Sequence, residues 1–182
     1  MNRKGTTFWL TGMPSSGKTT LAVEVLKNIS IIHLDSDEIR KSLTPNPSYS
    51  QEEREIVYRS IIYFCEVLNS NGHDVIVSAT ANLKKYRVLA KHMITKYHEI
   101  YIKCPLEVCE KRDVKGLYRL SREGKISTVP LRIYGKNEKY IETFYNKVDV
   151  YEEPENPCLI LDTSKQDKQQ CCEILINYIG NC

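Results

Sequence analysis

Short apolar runs rich in β-branched and aromatic residues recur along the chain at 6–10, 31–34, 75–78, 99–103 and 159–161. Longer stretches lie between or after them at 18–28, 51–70, 83–96, 106–113 and 168–179, mixing apolar with polar and charged residues as surface helices do. Parallel strands buried on both faces read as near-continuous apolar runs, and the crossovers that join them are usually helices. The alternation therefore predicts a parallel sheet covered by helices. The 51–70 helix is the best marked, with Ser50 and Glu53 spaced as a capping box before it and Asn71-Gly72 as a stop after it. Another helix is expected to start near Glu38. The rhythm breaks over 116–150, a charged segment with Gly124, Pro130, Gly135 and one helix-like stretch at 136–146. Excursions of this length in compact domains are usually functional or disordered, so the segment is expected to be a lid that excludes water from a cleft. In open α/β sheets ligands lie beyond the carboxyl ends of the strands, so the segments after Leu10, Leu34, Ser78 and Lys103 should converge on that cleft.

Composition adds limits rather than detail. A length of 182 residues suits one domain, 1–182, with a core that needs no disulfide or metal. Hydrophobic residues at 41% and charged residues at 27% are ordinary for a globular protein, and a net charge of +3 argues for neither nucleic acid nor an anionic membrane. The expected partner is a small molecule. No apolar stretch is long enough to span a bilayer and the chain begins without a signal-peptide pattern, so a cytoplasmic protein is expected. The seven cysteines include no C-x-x-C pair, and Cys65, Cys104, Cys109 and Cys158 lie in or beside apolar segments, where free buried thiols are expected.

The candidate chemistry starts where the first run ends. Gly12-Met13-Pro14-Ser15-Ser16-Gly17-Lys18-Thr19 matches the phosphate-binding pattern G-x-x-x-x-G-K-[ST], between an expected strand and an expected helix. The glycines let backbone amides turn toward phosphates, Lys18 reaches the terminal phosphates, and the Thr19 hydroxyl is placed for Mg²⁺. The helix N-terminus adds its partial positive charge at the same point. After the second run comes Leu34-Asp35-Ser36-Asp37-Glu38-Ile39-Arg40. A carboxylate there can hold Mg²⁺ through water or accept the proton of an attacking hydroxyl, and an arginine can grip an anionic acceptor through two hydrogen bonds. Asp35 or Asp37 could equally well cap the helix that follows. The third run ends in Ser78-Ala79-Thr80 with no acid, which shifts the acidic role to the second.

The segment Leu34 to Arg40 resembles the L-D-G-D-N-[IV]-R motif of adenylylsulfate (APS) kinases, which phosphorylate the 3′-hydroxyl of APS from MgATP. Tyr49-Ser50-Gln51-Glu52-Glu53-Arg54 is similar to that family's F-S-x-E-D-R, Pro105 to Tyr118 to its P-L-E-V-C-E-x-R-D-P-K-G-L-Y, and Tyr151 to Pro157 to its Y-E-x-P-x-x-P. The resemblance implies a P-loop kinase fold with a five-stranded parallel sheet in the order 2-3-1-4-5, and ATP and Mg²⁺ as cofactors. It implies ATP phosphates on the loop from Gly12 through Thr20 and Arg112 on the lid side of the nucleotide. Thr19 and Asp37 would lie at Mg²⁺, and Lys18 and Asp37 would be catalytic. The acceptor, adenylyl sulfate or a similar molecule, would meet Asp35, Arg40, Arg54 and Lys115, with Tyr49 stacked on its base. Neither nucleic acid nor membrane is expected as a partner, and the oligomeric state stays open, a homodimer included.

Three departures fall on the acceptor side. Val57 stands for the family's asparagine, Thr80-Ala81-Asn82-Leu83-Lys84 for its I-S-P-Y-R, and the long segment 127–150 for a short G-F-T-G-I-D-S-P stretch. They leave a P-loop kinase of another small hydroxyl acceptor as an alternative. A nucleotide-binding module without catalysis is a further one, disfavoured because Lys18, Thr19, Asp35 and Asp37 are all retained. Asn146-Lys147-Val148-Asp149 and Asp113-Val114-Lys115-Gly116 also match GTPase patterns, but they follow helix-like stretches rather than core strands.

Overall fold

The computed structural model describes residues 3–46, 50–113, 115–122 and 151–182. Five strands, β1 (Thr7–Thr11), β2 (Ile32–Asp35), β3 (Val75–Ser78), β4 (Tyr97–Lys103) and β5 (Leu159–Asp162), form one sheet in the order β2-β3-β1-β4-β5, every pair parallel. This is the expected order. Seven helices lie among the described residues: α1 (Lys18–Leu26), α2 (Ser36–Leu43), α3 (Gln51–Ser70), α4 (Lys84–Met93), α5 (Leu106–Arg112), α6 (Leu117–Arg122) and α7 (Lys168–Gly180).

Successive strand residues point to opposite faces, and the two faces carry separate cores. Trp9, Val75 and Val77 pack with Val57, Ile61, Ile62 and Cys65 of α3 and Tyr86 and Ala90 of α4. Phe8, Leu10, Ile76, Ile100 and Ile102 pack with Leu21, Ala22 and Val25 of α1 and Cys171, Cys172 and Leu175 of α7. Burial on both faces explains why β1 and β3 read as unbroken apolar runs. A third cluster of Met13, Tyr101, Cys104, Cys109, Tyr118 and Tyr151 lies where the phosphate-loop sequence leaves β1.

Several boundaries differ from the sequence reading. Helix α4 stops at Met93 rather than 96, and β4 begins at Tyr97 rather than 99. The cause is pairing with β1, whose Thr7 amide bonds Lys96 O and whose register starts at Thr7↔Tyr97. Trp9 and Phe8 then take the Tyr97 and His98 rings as neighbours. Helix α1 ends at Leu26 rather than 28, and α2 starts directly behind Asp35. Ser50 Oγ accepts from the Glu53 amide at 3.2 Å, as a capping residue should. The full capping box at Asp167 and Gln170, which opens α7, has no counterpart in the sequence reading. The first residues of the expected lid form α6, while 123–150, with the helix-like stretch at 136–146, lie outside the described residues. All seven cysteines are free; Cys65, Cys104 and Cys109 are buried as expected, but Cys158 is exposed, just before β5, where Ile160 is exposed too. No described helix is long and apolar enough to cross a membrane.

Candidate active site

The loop between β1 and α1 is built around a close approach that only glycine permits. A Cβ on Gly12 would stand 2.5 Å from Ile102 O and 2.8 Å from Ser16 Oγ, and Gly17 takes a φ of +104° immediately before α1. Lys18 folds back inside this turn, its ammonium donating to the carbonyls of Gly12 and Met13 at 2.8 Å each. Burial pushes the Lys18 pKa down to about 8, against the opposing pull of Asp37, Cys109 and Asp35. Ser16 Oγ is buried without a hydrogen-bond partner among the described residues. A buried cation, an unspent hydroxyl and the first amides of α1 in one turn are the donor set that an oligophosphate requires. These residues fit a nucleoside triphosphate. Met13 turns its side chain away into the tyrosine-lined cluster.

Across the cleft, Asp35 ends β2 and organises its surroundings through both carboxylate oxygens. Oδ1 caps α2 by accepting from the amides of Asp37 at 2.8 Å and Glu38 at 3.4 Å. Oδ2 accepts from the Thr19 hydroxyl at 2.8 Å and the Ser78 hydroxyl at 3.1 Å. Partial burial alone would raise its pKa, but these bonds to Thr19, the Asp37 amide and Ser78 hold it below the usual carboxylate range. A charged carboxylate touching the Thr19 hydroxyl at the start of α1 is suited to Mg²⁺, directly or through water.

Asp37 pairs with Lys115 at 2.5 Å, on the outer lip of the cleft. Burial would lower the Lys115 pKa, but Asp37 outweighs it and the value is raised. Arg40 forms a largely buried ion pair with Glu53. Arg54 is buried in α3 with Nη1 3.4 Å from Asn82 Oδ1. Arg112 ends α5 and donates to Thr163 O at 2.7 Å and Thr163 Oγ1 at 3.1 Å.

One cleft of about 1090 Å³ gathers these groups. Pro14, Ser15, Gly17, Lys18, Thr19 and Thr20 form its floor, Asp35, Asp37, Arg40, Arg54 and Lys115 one side, and Arg112 the other. Gly12, Met13 and Ser16 shape the turn from behind and do not line it. Tyr49 lies outside the described residues. Of the acceptor-side departures, Val57 is wholly buried in the core, whereas Thr80 and Asn82 reach the cleft. Asp113 closes α5 and Gly116 precedes α6, so neither occupies the strand end that a GTPase motif would require, and 146–149 lies outside the described residues.

Sequence reasoning missed Thr163, Gln166, Asp167 and Lys168, which line the far side of the cleft. Thr163 Oγ1 donates to Ser16 O at 2.9 Å, tying the end of β5 to the phosphate turn. The signal was available: the carboxyl-end rule applied to four strands applies equally to the fifth.

A family model described as adenylylsulphate kinase matches residues 4–162. The probable adenylyl-sulfate kinase of Pyrococcus abyssi is 39% identical over 178 residues, covering 95% of this chain and 94% of the relative. The adenylyl-sulfate kinase of Synechococcus sp. (strain JA-2-3B'a(2-13)) is 34% identical over 184 residues, covering 98% and 97%. Among solved structures, the Mycobacterium tuberculosis APS kinase in complex with AMPPNP and APS superposes with a TM-score of 0.76 at 29% identity, covering 98% of this chain and 99% of that one.

Proposed function

The chain belongs to the adenylylsulphate kinase family, and we propose that it transfers the γ-phosphoryl group of ATP to the 3′-hydroxyl of adenylyl sulfate, giving 3′-phosphoadenylyl sulfate. The observation that carries this reading is the single cleft in which the glycine turn around Lys18 faces the Asp35–Asp37 segment and the Arg54 guanidinium. The first half suits a triphosphate donor and the second an anionic acceptor with a hydroxyl.

Phosphoryl transfer leaves a protein little covalent work, so catalysis is mostly positioning and electrostatics. The amides of the 12–17 turn and the start of α1 hold the β- and γ-phosphates, and Lys18 exchanges its carbonyl partners for phosphate oxygens. Arg112 and Thr163 border the donor nucleotide, at the strand end beyond β5. Mg²⁺, when bound, neutralises charge on the phosphate oxygens, and Thr19 with Asp35 would hold it. Asp37 orients the acceptor hydroxyl and takes its proton. Arg40, Arg54 and Lys115 supply positive charge to the phosphosulfate, and Tyr49 stacks on the acceptor base. Asp35 thereby takes the metal-side role that the resemblance implied for Asp37, because it is Asp35 that touches Thr19.

The departures at Val57 and at Thr80 to Lys84 support one rival, a different small hydroxyl acceptor, since buried Val57 cannot reach a ligand. ADP release from ATP and Mg²⁺ should be measured with adenylyl sulfate beside other nucleotides and small alcohols. Turnover is expected with adenylyl sulfate. Turnover with another acceptor and none with adenylyl sulfate would transfer the assignment to the rival.

A further inference from the structure

Strand β2 carries a polar residue that the proposed chemistry does not use. His33 lies two positions before Asp35, so both side chains project from the same face of the sheet. Ser78 is registered opposite Asp35 on the neighbouring strand β3. Its hydroxyl meets both: Ser78 Oγ is 2.5 Å from His33 Nε2 and 3.1 Å from Asp35 Oδ2.

The direction of each bond follows from which atoms own protons. An ionised carboxylate only accepts, so Ser78 spends its one proton on Asp35. Its oxygen must then accept from His33, which places the imidazole proton on Nε2. Thr19 also donates to Oδ2, so that oxygen is held by two hydroxyls while Oδ1 is held by the amides of α2. Four donors, one hydroxyl each from α1 and β3 and two amides from α2, thus fix the plane of a single carboxylate. The amide bonds constrain only one of its oxygens. What aims the other is Ser78, and what aims Ser78 is His33.

We propose that His33 is a positioning residue for the kinase reaction, acting through Ser78 to hold Asp35 Oδ2 against Thr19 at the edge of the phosphate turn. The inference rests on the donor site proposed above. An apolar residue such as valine would satisfy the strand at position 33 equally well, because Ile32 and Leu34 flank it and the position is only half-buried. Without the imidazole, the Ser78 hydroxyl loses the donor that fixes its rotor, and Oδ2 loses its aim.

Four variants test this: His33→Leu, which removes the donor; His33→Gln, whose side-chain amide can restore it; Ser78→Ala; and the His33→Leu/Ser78→Ala double variant. ATP binding should be measured by calorimetry in Mg²⁺ and again in EDTA, so that one readout needs no turnover. His33→Leu is expected to weaken ATP binding in Mg²⁺ and to lower kcat by about 2- to 10-fold, the range for one neutral hydrogen bond, while binding in EDTA and the KM for adenylyl sulfate stay within about twofold. His33→Gln should recover most of the loss, and the double variant should be no worse than Ser78→Ala. Nitrogen-15 shifts of the ring should show the proton on Nε2. Equal losses in Mg²⁺ and EDTA, additive effects in the double variant, or a proton on Nδ1 would each overturn the assignment. If His33→Leu does not fold, Ser78→Ala and His33→Gln decide the matter by the same comparison. An unaltered protein that binds MgATP but phosphorylates nothing would instead count against the kinase reading and leave the relay measurable.

Discussion

Lys18 is an ammonium held, among the described residues, by two backbone carbonyls inside the turn that it serves. Burial lowers its pKa to about 8, and bound phosphates would favour the charged form and raise it again. Between those two values the free protein is largely neutral at this residue and the complex is charged, so ATP binding should take up a proton. Affinity should fall as the pH climbs past about 8. Calorimetry in buffers of different ionisation enthalpy measures the uptake directly, and affinity unchanged up to pH 9 would contradict it. The same shift has a stability sign: between pH about 8 and 10.5 the folded state binds fewer protons than the unfolded one, so the free protein gains stability through that window. Asp37 makes a second prediction at this scale. If it takes the acceptor proton, Asp37→Asn should lower kcat by about 10²-fold with little change in the KM for ATP; undiminished turnover would remove the role. The two lysines and both aspartates were visible in the sequence, because each sits in a short motif with its own chemistry. His33, Ser78 and Thr163 were not, since their partners lie 45, 43 and 147 positions away and only the folded sheet brings them together.

Among the elements, α4 shows what local pattern leaves undetermined. Its length was overestimated because 94–96 carries no stop signal of its own; pairing of β4 with β1 ends the helix. The helix also carries Arg87, which is buried and reaches in three directions. Its Nε lies 2.7 Å from Glu99 Oε1 on β4, and its terminal nitrogens donate to the carbonyls of Ala81 and, at 2.5 Å, Glu152. Ala81 holds a φ of +40°, uncommon for a residue with a side chain, with its amide bonded to the Tyr58 hydroxyl at 2.9 Å. The Thr80–Asn82 bend, which lines the cleft, is therefore clamped from α3 and α4, and the 151–153 segment is strapped to the same arginine. Arg87→Met should cost about 3–5 kcal/mol of unfolding free energy, the usual effect of stranding one partner of a buried ion pair. Urea denaturation measures it. Adding Glu99→Gln should recover part of the loss, and no recovery would show that the carbonyl bonds, not the charge pair, dominate.

At the scale of the molecule, the parallel sheet and its strand order were legible because each buried strand is a short apolar run and each crossover is long enough for a helix. The far wall of the cleft was less so, since Thr163 and Gln166 reach it only because β5 and its following turn stand beside the phosphate turn. The phosphate turn connects to both cores: β1 contributes Trp9 to one and Phe8 and Leu10 to the other, and the loop leaves from its end. A ligand on that turn therefore stabilises the whole cooperative unit and not a local flap. ATP at about 100 times its Kd adds about 2.7 kcal/mol by mass action. For a chain of this size that corresponds to a rise in Tm of about 5–10 °C. Lys18→Met separates binding from folding. It replaces a desolvated charge with an apolar side chain of similar length, so the ligand-free Tm should hold or rise, while the ATP-dependent rise should vanish. Differential scanning calorimetry of both proteins, with and without MgATP, gives all four values. A variant that loses ligand-free stability would show Lys18 to be a structural support of the turn, and one that keeps the ATP-dependent rise would move the phosphates off it.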